Sequence, residues 1–166
     1  MTQAKDVGII LFEGFEETSA VVPHAVWDGA AVDCGLAVTV YSLVPTETVP
    51  AGSGLELAPD DVLIGTPDIV FVPHGYGPDG TASEPQSIPE TTYLERIRTL
   101  AEEGATVVAM GSGVLGLAQS GFLDGRPATT HPEYRDDLAE TGAELVAADI
   151  VADDEVITGS GPGIAY

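Results

Sequence analysis

Short, uninterrupted apolar runs that alternate with helical patterns are the feature that most limits how this chain can fold. Three such runs are "VGIILF" at 7–12, "PDIVFVPHG" at 67–75 and "TVVAM" at 106–110. A strand that is apolar on both faces must be covered on both faces, which is typical of a parallel sheet between layers of helices. The pattern predicts an α/β three-layer sandwich with a mostly parallel central sheet.

Helix signals occupy the stretches between these runs. "TSAVVPHAVWDGAAV" predicts a helix that ends near Cys34 and Gly35, with Pro23 inside it. Two further helices are predicted between Pro89 and Gly104 and over 113–123. The other predicted elements are a strand over 36–43, a short excursion or hairpin arm over 54–63 and a two-armed segment over 148–160.

The carboxyl ends of parallel strands share one edge of the sheet, and sites in such folds lie at that edge. Three loops follow predicted strands there, at 13–17, 74–77 and 111–113. We therefore expect a pocket lined by residues from all three loops.

Charge limits the partners of this chain. Its 166 residues include 27 acidic and 5 basic ones, Lys5 is the sole lysine, and the formal net charge is −22. Without a basic patch, binding to nucleic acid or to anionic membranes is disfavoured. Self-repulsion of this size is largely screened at molar salt, where the Debye length is about 3 Å. The composition predicts a halophilic, acidic protein; the alternative is an acidic protein without salt adaptation.

Compartment and metal chemistry follow from the same composition. No apolar run approaches the roughly 18 residues of a membrane span, and the N-terminal residues lack signal-peptide features. A cytoplasmic protein is therefore expected. The single cysteine, Cys34, excludes an intrachain disulfide and a multi-cysteine metal site. We interpret Cys34 as a small buried core residue.

The turn in "VVAMGSGVLGLA" at 107–118 admits more than one interpretation. Gly111, Gly113 and Gly116 spell G-x-G-x-x-G, a dinucleotide-binding fingerprint. However, the motif lies outside the first βαβ unit, and "HPEYRDD" stands where a strand ending in an acidic residue would be needed. The alternative is a nucleophile elbow, a strained strand-to-helix turn whose residue projects into a pocket beside N–H donors.

Four stretches of the chain carry a family resemblance: "GIILFEGFEETSAVVPHAVW", "DIVFVPHGYG", "VVAMGSGVLGLAQSGFLDGRPATTHPEYRDDL" and "VITGSGPG". Through them nearly the whole chain resembles the ThiJ/PfpI superfamily, a class I glutamine amidotransferase-like group that includes the parkinsonism-associated deglycase, the intracellular protease PfpI and isonitrile hydratase. The resemblance implies a single domain over 1–166, a flavodoxin-like fold and a homodimer. Family members continue past "GPG" into another helix, which this chain is expected to lack.

The resemblance also implies that the family's nucleophile is missing here. Family elbows read A-x-C-x-G, and this chain has Gly111 at the cysteine position, followed by Ser112 and Gly113. The family's acidic partner of that cysteine, counted from Gly14, falls at Ser19. Gly111 offers no thiolate, so covalent cysteine catalysis is not expected.

Other residues are candidates for the same pocket. The resemblance places His131 of "TTHP" near the elbow and puts His74 where the family has a glycine in its P-G-G loop. It implies that the backbone of Gly75 and Ser112 supplies oxyanion donors. Tyr76 and Tyr134 are further candidates, as walls of the pocket. Ser112 is a weak alternative nucleophile, and His24 is expected on a helix surface or at a subunit contact.

Three functions remain open from sequence. The leading hypothesis is a salt-adapted pseudoenzyme that binds a small molecule, in a binding or regulatory role. The alternative is a hydrolase, hydratase or glyoxalase-like enzyme that uses His74 and His131 with water. The third is a dinucleotide-binding protein. The two histidines with a carboxylate from 13–17 would suit a divalent metal, but their spacing is not a metal motif, so neither a metal nor a cofactor is expected.

Overall fold

A computed structural model describes residues 4–75 and 90–161 of the chain. The helices are α1 (Glu17–Cys34), α2 (Glu90–Glu102), α3 (Ser112–Gln119) and α4 (Arg135–Ala139), the last preceded by a 3-10 turn at Pro132–Tyr134. The longer strands are β1 (Lys5–Ile10), β2 (Leu36–Ser42), β6 (Ile69–Val72), β7 (Thr106–Met110), β10 (Ile150–Asp153) and β11 (Val156–Gly159). The two-residue strands are β3 (Val49–Pro50), β4 (Glu56–Leu57), β5 (Asp61–Val62), β8 (Pro127–Ala128) and β9 (Glu144–Leu145).

Within the described residues, one sheet of seven strands has the order β10-β11-β7-β6-β1-β2-β5. Every neighbouring pair is parallel except the β10–β11 hairpin, which is the predicted two-armed segment. The predicted α/β architecture with a mostly parallel sheet is therefore confirmed. The predicted excursion over 54–63 contains two short strands: β4 pairs antiparallel with β3, which precedes the excursion, and β5 adds to the sheet edge next to β2.

The strand register brings the predicted loops to one edge. Val72 pairs with Ala109 between β6 and β7, and Gly159 pairs with Met110 between β11 and β7. The residues that follow, His74 and Gly111, therefore leave the sheet side by side. Ile9, Val70 and Val107 at the centre of the sheet are fully buried, as strands covered on both faces require.

Helix α1 begins and ends where the sequence predicts. The Glu16 carboxylate accepts hydrogen bonds from the N–H groups of Thr18 and Ser19, which caps the first turn. Gly35 ends the helix in the left-handed conformation, with φ of +64°, and its N–H donates to Ala31 O. Pro23 lies within the helix without ending it.

Two expectations are wrong. Cys34 is exposed and not part of the core, because it is the last residue of α1 and its neighbours Asp33 and Gly35 are also exposed. Helix α3 ends at Gln119 and not at 123, because Phe122 N–H turns back to donate to Leu117 O. Within the described part of the chain, no helix is long and apolar enough to cross a membrane.

Candidate functional site

The turn between β7 and α3 is built around Gly111. This residue has φ of +53° and ψ of −125°, a conformation that side chains disfavour. Its N–H donates to Gly159 O at 3.0 Å, and its carbonyl accepts from Thr130 Oγ1 at 2.7 Å. A Cβ at this position would lie 2.5 Å from His74 Nδ1. Both backbone conformation and space therefore require glycine here.

The side chain of His74 fills the space above Gly111. Only 1% of His74 is exposed, and its Nδ1 accepts a hydrogen bond from Ser112 N–H at 3.0 Å. Burial lowers the pKa of His74 to about 4; Glu16 acts to raise it, and His131 to lower it further. The ring is therefore neutral at pH 7. Since Nδ1 accepts, the ring proton lies on Nε2.

Ser112 ties the turn to the loop after β6. Its Oγ donates to Gly75 O at 2.7 Å and accepts from Gly75 N–H at 2.9 Å. The same oxygen is 3.0 Å from His74 Nδ1, whose lone pair already accepts the Ser112 amide. The two amides that the resemblance implies as oxyanion donors, Gly75 and Ser112, are therefore both paired with side chains of the protein itself.

Ser19, at the position implied for the family's acid, reaches this region from α1. It is buried, and its hydroxyl donates to Glu16 O at 2.7 Å and to His74 O at 3.1 Å. Glu16 N–H also donates to His74 O, at 2.8 Å. The α1 start and the His74 backbone are thus joined by direct hydrogen bonds, and Ser19 has a structural role there.

His131 and Tyr134 complete a cluster of rings beside the turn. The ring centroids are 6.3 Å apart for His74 and His131, 5.9 Å for His74 and Tyr134, and 5.8 Å for His131 and Tyr134. His131 is half-buried at the start of the 3-10 turn, where its Nδ1 accepts from Glu133 N–H at 3.3 Å. Tyr134 is buried. We call His74, His131 and Tyr134 the ring cluster.

The remaining candidates lie elsewhere. Tyr76 lies outside the described residues. His24, half-buried on α1, lines a separate cavity of about 240 Å³ together with Asp60 and Leu57. Within 4–75 and 90–161, no group of three or more histidine, cysteine or acidic residues is placed to hold a metal ion.

Two of the three glycines of the G-x-G-x-x-G pattern are explained by packing. A Cβ on Gly113 would lie 2.7 Å from Pro73 O, and one on Gly116 would lie 3.3 Å from Leu94 Cδ2. Together with the space that His74 occupies above Gly111, the close approach of Pro73 O accounts for Gly111 and Gly113 without a phosphate, whereas a small shift of the Leu94 side chain would make room for a Cβ at Gly116.

Sequence reasoning did not predict that the His74 ring would fill the elbow. The available signal was the joint change implied by the resemblance: a side chain gained at 74, where the family has glycine, and one lost at 111. Together, these two changes move side-chain volume from residue 111 to residue 74, which would have indicated that the two residues are in contact.

Comparisons with known proteins give one family and several relatives for this chain. The family model described as the DJ-1/PfpI family matches residues 5–166. An isonitrile hydratase of Pseudomonas putida is 30% identical over 160 residues, which are 95% of this chain and 66% of that protein, so the chain spans just under two thirds of its length. A glutathione-independent glyoxalase of Caenorhabditis elegans is 31% identical over 131 residues, 76% of this chain and 67% of that protein. The crystal structure of Drosophila melanogaster DJ-1beta superposes with a TM-score of 0.82 at 25% identity, covering 99% of this chain and 86% of that one.

Proposed function

The chain belongs to the DJ-1/PfpI family, and on that premise we propose that it binds a small molecule at the ring cluster without covalent catalysis by cysteine. Its relatives include a hydratase and a glyoxalase. The site lies at the carboxyl edge of the sheet, without the covalent cysteine step that the family resemblance implies. The role is that of a binding or regulatory protein.

The space above Gly111 carries this proposal. A nucleophile there would need a Cβ 2.5 Å from His74 Nδ1, inside van der Waals contact. Oxyanion stabilisation requires N–H donors aimed at the developing charge. Here Ser112 N–H donates to His74 and Gly75 N–H donates to Ser112 Oγ. Nucleophile and donors are thus both replaced by internal contacts.

Charge and protonation favour a neutral, polar ligand. The chain carries a net charge of −22, which repels anions. The low pKa of His74 keeps its ring uncharged at pH 7, so the ring cannot supply a cation to hold a carboxylate. Half-buried His131 gives the ring cluster its contact with solvent, and a neutral carbonyl or hydroxyl compound is the class that this surface suits.

The test combines binding and turnover in one sample. Methylglyoxal and an alkyl isonitrile are added separately to the protein in molar KCl, while histidine ring signals are followed by NMR and product by chromatography. We expect saturable shifts of the His74 and His131 signals, and product formation no faster than in buffer. His131→Ala should weaken binding, whereas the matched variant His24→Ala should leave it unchanged.

Each other outcome identifies a different function. Turnover that His131→Ala abolishes would establish the enzyme that uses both histidines with water, and would refute the proposal. Failure of both probes to shift the ring signals, together with protection from unfolding by NAD, would support the dinucleotide-binding alternative.

A restored nucleophile gives a second test of the same argument. In a Cys34→Ser background, Gly111→Cys alone should react slowly with iodoacetamide, because His74 occupies the space of the thiol. Adding His74→Gly should raise the reaction rate at least tenfold. Equal rates in the two variants would contradict the argument from space.

We further propose that the protein is a salt-adapted, cytoplasmic homodimer with a single domain over 1–166. The acid excess supports the salt adaptation, and the family resemblance supports the dimer. Light scattering in molar KCl should give twice the monomer mass, and a monomeric mass would refute the dimer.

A further inference from the structure

The outer edge of the sheet is open along the first half of β2. The next strand, β5, pairs only with Tyr41 and Ser42 at the end of β2. The carbonyls of Gly35 and Tyr41 accept hydrogen bonds from the β1 side, so the odd-numbered residues along β2 direct their backbone groups inward. Leu36 and Val38 therefore direct their N–H and C=O groups outward, where no strand among the described residues pairs with them. We call these outward groups the β2 edge.

The β2 edge lacks the usual protection of an exposed strand. Edge strands are normally blocked by charged side chains, by proline or by a bulge. The stretch 36–42 has no charged residue and no proline, and its ladder with β1 continues without a bulge. Blocking begins only at Val40, whose N–H donates to Asp60 Oδ2 and whose carbonyl accepts from Asp60 N–H, both at 2.8 Å. The backbone groups at 36–38 can therefore pair with an added strand.

A cavity of about 240 Å³ opens next to the β2 edge, between α1 and the segment that leads into β5. Its walls are mostly apolar and include Val21, Val40 and Leu57. The polar side chains that line it are His24, which is half-buried, and Asp60, which is exposed. We call it the His24 cavity.

A residue paired with Val38 would place its side chain at the mouth of the His24 cavity. Directly opposite residues of neighbouring strands point their side chains to the same face of the sheet. Val38 shares a face with Val40, which lines the cavity together with residues of α1. Asp60 lies beside Val40, and two residues along a strand span about 6.6 Å. The flexible four-carbon stem of a lysine covers this distance.

Charge favours a basic side chain in the His24 cavity. Asp60 Oδ1 accepts no hydrogen bond from the described residues, and no basic side chain among them pairs with this carboxylate. The net charge of −22 disfavours acidic partners, and a second copy paired here would bring the same acid excess to the edge. A cationic segment complements both the carboxylate and the overall charge.

The open backbone, the adjoining cavity and the charge together identify one kind of partner. Strand addition takes its affinity from main-chain hydrogen bonds and its specificity from pockets for alternate side chains. We infer that the β2 edge binds an extended, lysine-containing segment of another protein. The segment adds a strand through Val38 and places its lysine in the His24 cavity, against Asp60.

The β2 edge is separate from the ring cluster. Leu36 and Val38 lie toward the amino end of β2, whereas His74 and Gly111 follow the carboxyl ends of β6 and β7. Strand β1 also separates β2 from β6 in the sheet. Peptide binding can therefore be tested without changing any residue of the ring cluster.

The experiment compares three acetylated and amidated pentapeptides in molar KCl. The first is Thr-Val-Lys-Val-Thr, the second has Met in place of Lys, and the third carries an N-methyl group on the backbone nitrogen of the lysine. NMR follows the amide signals of Val38 and of Ile150, which lies in β10 at the opposite edge of the sheet.

We expect the first peptide to shift the Val38 signal saturably and to leave the Ile150 signal unchanged. The Met peptide should bind about threefold more weakly, as the loss of one exposed ion pair implies. The N-methylated peptide should not bind saturably, because it lacks the N–H that would donate to Val38 O.

Two carboxylate variants locate the charge. Asp60→Asn keeps an oxygen that can accept from Val40 N–H but loses the charge, so the Lys and Met peptides should bind it equally. Asp61→Asn is the matched control at a neighbouring exposed carboxylate, whose Oδ1 accepts from Val62 N–H. It should retain the threefold preference for the Lys peptide.

Several results would overturn the inference: equal binding of the N-methylated peptide and its parent, equal shifts of Ile150 and Val38, a preference that survives in Asp60→Asn, or no saturable binding. Hydrogen exchange of the Val38 amide tests the other possible occupant. Protection that rises with protein concentration would place a second copy on the β2 edge and would also overturn the inference.

Discussion

Replacing Gly111 with alanine should lower the free energy of unfolding by about 4 kcal/mol, in two parts that can be separated. The backbone conformation, with φ of +53° and ψ of −125°, costs a residue with a side chain roughly 1–3 kcal/mol. The new Cβ would lie 2.5 Å from His74 Nδ1, and moving a buried ring out of its packed position costs roughly another 1–3 kcal/mol. The displaced ring would also cease to accept the Ser112 amide.

A double-mutant cycle with His74→Ala isolates the second part. Once the ring is gone, the nearest atom of residue 74 to the new Cβ is its own Cβ, at 3.3 Å. Gly111→Ala should then cost only the backbone contribution, so the two substitutions should couple by about 2 kcal/mol. Urea unfolding of the four proteins at one salt concentration gives the coupling energy.

Gly35→Ala serves as the matched control for the cycle. Gly35 has φ of +64°, and no atom lies within 4 Å of a Cβ built there. With ψ of +49°, it should show only the cost of the left-handed helical conformation, and no coupling to His74. Additivity of Gly111→Ala and His74→Ala to within about 0.5 kcal/mol would refute the argument that the imidazole occupies the place of a side chain at 111.

Three more predictions concern the same site and the charge of the chain. Ser112→Ala should cost about 1–3 kcal/mol in urea unfolding, because it leaves both backbone groups of Gly75 without their partner, while Ser120→Ala should cost less; equal costs would contradict this. With a folded pKa of about 4 and an unfolded value of 6.5, His74 should stabilise the fold fully above pH 6.5 and lose about 3 kcal/mol of that as the pH falls to 4. The stability difference between wild type and His74→Gln should therefore shrink over this window, and a constant difference would argue against a neutral buried ring. Lowering KCl from 2 M to 0.1 M should lower Tm by several degrees through unscreened repulsion, and an unchanged Tm would refute salt adaptation.

The sheet and the position of the site could be predicted from sequence because a few local signals determine them. The runs that became β1, β6 and β7 are continuous and apolar, which parallel strands require. Their order along the chain places the loops after them at one edge of the sheet. Gly35 marked the end of α1 for an equally local reason, since only its left-handed backbone is needed there.

What could not be predicted depends on distances across the sheet. That His74 and Gly111 touch follows from the register of β6 against β7, which a single sequence does not encode in any local pattern. The prediction that Cys34 is buried was wrong because exposure in the last turn of a helix depends on how far the helix extends past the sheet.

The fit of an imidazole over a bare α-carbon also restricts how this lineage can change by mutation. Every codon change at 111 adds atoms to a place already taken, so a descendant acquires a reactive group there only after residue 74 has first become small. The substitution at residue 74 must therefore precede the substitution at residue 111. The sequence passed through between them has an empty elbow, with the N–H of Ser112 released from the imidazole and ready to receive an anionic oxygen.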